Sequence, residues 1–131
     1  MESKELRIDN YVKRHFWCYP PEGKIKEYLD CQVVSLGIEK VIVTSSITEK
    51  HLEKINYEII HPIPLTEEWL FNFGFKKINL GRDMAHFYAD TYNDWKIVER
   101  NGFYKRSGKT INYVHQLQNI YFALTEKELT L

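Results

Sequence analysis

The sequence predicts an α+β fold: short N-terminal strands, a short central helix, an antiparallel β-meander and a C-terminal amphipathic helix packed on it. Three observations carry this. Short extended segments in the second half are separated by turn-forming residues, of which Asn101-Gly102 is the strongest hairpin signal. Residues 66–73 lie between a capping residue and a terminating glycine. Finally, Val114, Leu117, Ile120, Tyr121 and Leu124 fall at spacings of three, three, one and three, which places them on one helical stripe.

Taken in order, Leu6-Arg7-Ile8-Asp9-Asn10-Tyr11-Val12 alternates and then breaks phase, which predicts a short first strand. Tyr19-Pro20-Pro21-Glu22-Gly23 predicts a turn after it. Strands are expected over 28–36 and 40–46, the second around the β-branched run Val41-Ile42-Val43-Thr44, with Gly37 between them. Ser46-Ile47-Thr48-Glu49 has the form of a capping box and is followed by Leu52 and Ile55, predicting a helical turn over 49–55. Residues 57–60 read as extended. Together these strands are compatible with a small SH3-like barrel.

In Pro62-Ile63-Pro64-Leu65-Thr66-Glu67-Glu68-Trp69-Leu70 the prolines keep the approach extended and Thr66 can cap a helix. Glu67 and Glu68 suit the positive end of the helix dipole, and Gly74 can end the helix. Leu65 and Leu70 match a hydrophobic staple, and Trp69, Leu70 and Phe73 are expected to face inward. About four strands follow, over 75–78, 85–89, 95–100 and 103–106. Their separators are Leu80-Gly81-Arg82-Asp83, Tyr92-Asn93-Asp94, Asn101-Gly102 and Ser107-Gly108. In the final helix, expected over 113–124, Gln116, Gln118 and Asn119 form the polar side, and Thr125-x-x-Glu128 can cap one more turn ending at Leu129.

The 131 residues fit a single compact domain, 1–131, with sub-halves 1–65 and 66–131, large enough to form a core without a staple. Aromatics make up 15% of the chain, so the core should be built around rings as much as aliphatics. Lysine plus arginine and aspartate plus glutamate both number 18. A formal charge of zero gives no whole-molecule field for nucleic acid or an acidic membrane, so binding of either kind would need a local patch. Near-neutrality with many rings favours self-association or a protein partner. Cys18 and Cys31 lack Cys-x-x-Cys spacing and read as free thiols of a reducing compartment. An N-terminus without an apolar signal region, and the lack of any apolar run of about 20 residues, predict a cytoplasmic location.

Three blocks carry a resemblance: Leu6-Arg7-Ile8-Asp9-Asn10; the PIPLTEEWL block at 62–70 with Phe73-Gly74-Phe75; and Tyr113-Val114-His115-Gln116-Leu117-Gln118-Asn119 with Tyr121-Phe122-Ala123-Leu124-Thr125. They resemble a family of small, largely uncharacterised proteins of phages, prophages and mobile elements of Bacteroidota. The family pattern carries glycine at the second position after the final Leu-Thr, where this chain reads Leu124-Thr125-Glu126-Lys127, and the 18–30 region is longer here. The resemblance implies a phage accessory protein. Among such proteins are inhibitors of CRISPR effectors, including RNA-guided RNA nucleases, so it implies an anti-CRISPR role with a host ribonucleoprotein as partner.

No catalytic constellation accompanies it. His15, His51, His61, His86 and His115 are dispersed, without zinc-site spacing, and no phosphate-cradling glycine loop or cofactor motif occurs. Glu67 and Glu68 are accounted for by their helix. The chain therefore reads as non-enzymatic, with neither metal nor cofactor; an enzymatic reading would need cysteine or His115 chemistry. One patch stands out. Lys96, Arg100, Lys105, Arg106 and Lys109 face one acid, Glu99, and are interleaved with Trp95, Phe103 and Tyr104. Cations for phosphates and rings for bases are what single-stranded RNA recognition uses, so Lys96, Arg100, Tyr104, Lys105, Arg106 and Lys109 form the expected contact. The plain alternative is a solvated hairpin with its rings in the core. The leading expectation is a phage-type protein that binds and inhibits or redirects a host defence complex; the other is a small RNA-binding domain acting without a protein partner.

Overall fold

A computed structural model describes residues 1–89 and 95–131. The fold is α+β, with two five-stranded antiparallel sheets and two α-helices among the described residues. It divides into two units, Met1–Ile63 and Pro64–Leu131.

In the first unit β1 (Tyr11–Cys18), β2 (Ile25–Leu36), β3 (Lys40–Thr44), β4 (Leu52–Asn56) and β5 (Ile60–His61) lie in the order β4-β3-β2-β1-β5. The expected SH3-like barrel does not close: β5 returns to pair with β1, but no pairing joins β5 to β4 among the described residues, so the sheet is open. Leu6, Val12, Cys31, Val33, Val41, Val43 and Ile60 form the core. Arg14 and Glu53 make an ion pair on the same side.

Several boundaries differ from expectation, each for a local reason. The first strand starts where the alternation broke phase, at Tyr11, because Asp9 adopts φ 75° and Asn10 Oδ1 accepts from the Arg7 amide at 2.7 Å, closing a turn upstream. Ser46 does cap, with its Oγ accepting from the Glu49 amide at 2.9 Å. However, the Ser46 amide also bonds Glu49 O and the Ser45 amide bonds His51 O, so the segment closes a β3–β4 connection. Leu52 and Ile55 consequently sit in a strand. Residues Tyr57–Ile59, expected to be extended, form a 3-10 turn before β5.

The second unit opens on α1 (Glu67–Asn72), with Thr66 Oγ1 accepting from the Trp69 amide at 3.4 Å. At the other end Gly74, at φ 94°, donates to Phe71 O while the Phe75 amide donates to Leu70 O, a Schellman motif that requires the left-handed residue. Leu65 and Leu70 are both buried, as the staple predicts; Trp69 and Phe73 are half-buried.

A meander follows: β6 (Lys76–Gly81), β7 (Met84–Tyr88), β8 (Lys96–Arg100), β9 (Phe103–Arg106) and β10 (Lys109–Ile111), neighbours in chain order. It has one strand more than expected, β10. The turns at Arg82-Asp83, Asn101-Gly102 and Ser107-Gly108 all have positive φ at both residues, the conformation that matches the strands' right-handed twist. The expected turn at Tyr92-Asn93-Asp94 lies outside the described residues.

The last helix, α2 (Val114–Thr125), starts with Gln116 Oε1 accepting from the Asn112 and Tyr113 amides at 2.9 and 3.2 Å. Its buried line is Val114, Leu117, Gln118 and Tyr121 with His115. Leu124 is exposed and Gln118 fully buried, which reverses both expectations. The cause is the following segment: Leu129 is buried and its carbonyl accepts from Gln118 Nε2 at 3.1 Å. No further helical turn forms over 125–129, because Thr125 Oγ1 donates to Tyr121 O and accepts from the Lys127 amide around a left-handed Glu126, φ 61°. A non-glycine residue pays for that conformation, so Glu126→Gly should stabilise the protein by about 1 kcal/mol, read as a higher urea midpoint at unchanged m value.

Candidate nucleic-acid interface

Strand pairing assigns each side chain of the second sheet to a face, since directly opposed residues share one. Phe87 pairs with Ile97, Ala85 with Glu99, Glu99 with Tyr104, Tyr104 with Ile111. This is the inner face, where both helices dock: Phe71 of α1 lies 6.0 Å from Phe87, and Tyr121 of α2 lies 5.0 Å from Trp95, centroid to centroid.

The opposite face carries Met84, His86 and Tyr88 of β7, paired with Arg100, Val98 and Lys96 of β8. Lys105 of β9 pairs with Val98 and Phe103 with Arg100; Thr110 pairs with Lys105, and Lys76 with Tyr88. Among the described residues no ring contact joins either helix of this unit to it. Phe103 is 63% exposed. His86 Nδ1 lies 3.3 Å from the Tyr88 hydroxyl, and partial burial with the Lys96 charge lowers the His86 pKa, favouring a neutral ring. Arg100 Nη2 rests 3.3 Å from Met84 Sδ. Lys76, Lys96, Arg100 and Lys105 thus share a face with Tyr88, His86 and Phe103. Glu99 is the only acid in the five strands, and it points to the other side.

The six residues expected as one contact are therefore split. Lys96, Arg100 and Lys105 are together on the outer face. Tyr104, Arg106 and Lys109 belong to the inner face: Tyr104 is half-buried, edge-on to Phe87 at 6.0 Å, with its hydroxyl pKa raised by burial and then by Glu99 and Glu67. Arg106 stacks over Trp95 at 4.6 Å and donates from Nη1 to Lys96 O at 3.1 Å, so it works as a structural clamp. Lys109 is opposite Arg106 on the edge strand. Alternation over 96–106 was the available signal: positions 96, 98, 100 and 103, 105 share a side.

The first sheet has a corresponding outer face that the sequence reading missed. Lys13 pairs with Asp30 and His61, His15 with Tyr28, and Trp17 with Lys26. His15 Nδ1 and His61 Nε2 are 2.7 Å apart, a hydrogen bond that needs one of the two nitrogens unprotonated. Histidines dispersed along the chain are thus partly gathered by the β1–β5 pairing. Alternation of Lys13, His15 and Trp17, and of Lys24, Lys26 and Tyr28, was legible, but a first strand placed over 6–12 concealed it.

Burial, then the Lys26 charge, lowers the pKa of His15; burial, then His15, Lys26, the amino terminus and Lys13, lowers that of His61. Their unfolded value is 6.5. Below it the unfolded chain binds more protons than the folded one, so stability should be level above pH 6.5 and fall as pH drops through the lowered folded values. Urea midpoints followed over that range check this: a His15→Gln/His61→Gln variant should flatten the decline, and an unchanged slope would refute it.

Among the described residues no group of three or more His, Cys, Asp or Glu side chains is placed to hold a metal. Cys18 and Cys31 are free, and burial pushes the Cys31 thiol up to about 12, which keeps it protonated at neutral pH. No helix of the described residues is long and apolar enough to cross a membrane. No protein-family model, curated protein or solved structure matches the chain.

Proposed function

We propose that the protein is a non-enzymatic binding module that engages single-stranded RNA, presented by a host ribonucleoprotein, through the outer face of its second sheet. One observation carries the reading: Lys76, Lys96, Arg100 and Lys105 share that face with Tyr88, His86 and Phe103, while the only acid of the five strands is on the other side. Phosphates need cations and unstacked bases need rings, and an antiparallel sheet presents both at fixed spacing. Zero net charge fits a focused contact better than general nucleic-acid binding. The resemblance to phage accessory proteins supplies the setting, in which the ribonucleoprotein is an RNA-guided defence nuclease and binding inhibits or redirects it.

The test is anisotropy of a labelled oligouridylate across a salt series, with expression in cells that depend on an RNA-guided nuclease for immunity. Binding that weakens linearly in log salt, with loss of immunity, is expected. No binding at low salt removes the RNA contact; RNA binding with intact immunity favours a domain acting without a protein partner.

A further inference from the structure

We propose that the outer face of the first sheet is a second binding site, for a single-stranded nucleic acid, built from Trp17 and Tyr28 as base platforms and Lys13, Lys24 and Lys26 as phosphate contacts. It is independent of the second-sheet face.

Trp17 and Tyr28 are 44% and 49% exposed on adjacent paired strands, diagonal to each other across the Trp17–Lys26 and His15–Tyr28 pairs, so one face exposes two large rings. Each ring is already occupied by the protein's own cations. Lys24 Nζ is 4.1 Å from the Trp17 centroid and Lys13 Nζ is 4.9 Å from that of Tyr28. Lys26 Nζ lies between them, 5.8 Å from Trp17 and 5.7 Å from Tyr28. An ammonium parked on an exposed ring is weakly held, and a phosphate offers it a stronger partner. Drawing the lysines onto phosphates would free both ring faces for stacking in the same step.

Beside the rings, on the same face, is the histidine pair. The His15 ring centroid is 6.2 Å from Trp17 and 6.4 Å from Tyr28, and His61 is 5.6 Å from Tyr28. These edge-on contacts orient the platforms. The pair also offers ring nitrogens that can donate to or accept from a base edge.

Charge selects the ligand class. Asp30 is the one acid among the paired residues of this patch, it lies opposite Lys13, and burial raises its pKa. A cationic ligand for the rings, such as a methylated lysine, would meet Lys13, Lys24 and Lys26 at close range. An acidic peptide would satisfy the lysines but leave the rings uncovered. A strand that alternates phosphates with flat bases uses both.

Trp17 is a built-in reporter, because Trp95 is buried and Trp69 half-buried. Titrating the full chain with an oligouridylate of about 12 nucleotides, within the site sizes such surfaces cover, should quench tryptophan emission in a salt-dependent way. Trp17→Phe should bind comparably but lose most of the quenching. Trp17→Ala/Tyr28→Ala should bind more weakly by about tenfold per ring, with circular dichroism unchanged since both rings are exposed. Lys24→Glu/Lys26→Glu, which leaves the rings in place, should lower affinity and salt dependence together. The quenching should persist in Lys96→Glu/Arg100→Glu/Lys105→Glu, which separates this site from the second-sheet face. Unchanged affinity in both first-sheet variants, or quenching lost only in the second-sheet variant, overturns the proposal and leaves the other reading standing. Equal quenching by polyglutamate overturns the nucleic-acid assignment.

Discussion

Phe87→Ala should lower stability by about 3–5 kcal/mol, a large fraction of the 5–15 kcal/mol by which small domains are stable. Phe87, in β7, is 1% exposed. Its ring centroid is 6.0 Å from Phe71 on α1 and 6.0 Å from Tyr104 on β9, and Lys77 Nζ lies 5.8 Å over it. No neighbour can refill that space without giving up another contact, because Phe71 is anchored through α1 and Tyr104 through two paired strands. Removing the ring therefore loses both the transfer energy and the packing around a cavity. The contrast is Phe103→Ala, on the opposite face and largely exposed, which should stay within about 0.5 kcal/mol. Urea unfolding of the two variants measures the difference directly. A lower midpoint for Phe103→Ala than for Phe87→Ala would mean that the faces are assigned the wrong way round, and equal midpoints would mean that Phe87 is not a core ring.

Much of this architecture was written in local chemistry. Thr66, the two acids after it and Gly74 specify α1 within a few residues, and Asn101-Gly102 specifies its hairpin, because caps and left-handed turns are decided by neighbours in the chain. The failures share a cause of the opposite kind. Ser46 makes the cap bond that its motif predicts, yet pairing with β3 holds residues 52–56 extended, since a single turn of helix offers little against a ladder of strand bonds. Gln118 looked like a solvent-facing residue until Leu129 folded back and its carbonyl took the amide. Neither partner can be located from spacing alone.

The candidate sites follow the same division. That 96–109 was basic and aromatic was plain from composition; that Arg106 clamps Trp95 while Arg100 faces outward depends on strand register. The patch on the first sheet was less accessible still. It needs β1 to run to Cys18 and β5 to bring His61 beside Lys13, a pairing across a wide sequence separation.

Register also makes the functional reading separable from stability. In a Trp17→Ala/Tyr28→Ala background, which leaves the second-sheet face to be read alone, Lys96→Glu/Arg100→Glu/Lys105→Glu should reduce affinity for single-stranded RNA at least about 100-fold at low salt, since three phosphate contacts become repulsions on one face. For single strands each lost contact removes about 0.7 from the slope of log affinity against log salt, so the slope should become shallower by about 2. Stability should barely change, because Arg100 and Lys105 are exposed and Lys96 contributes its backbone carbonyl, not its side chain, to the Arg106 clamp. Arg106→Gln should do the reverse. It removes the stack on Trp95 and weakens the bond to Lys96 O, costing about 1–2 kcal/mol, while the salt slope holds because the guanidinium does not face the outer side. Measured together, anisotropy and urea unfolding should place the two variants on different axes. RNA affinity lost in Arg106→Gln without destabilisation, and retained in the triple variant, would move the contact to the inner face and end the proposal for the outer one.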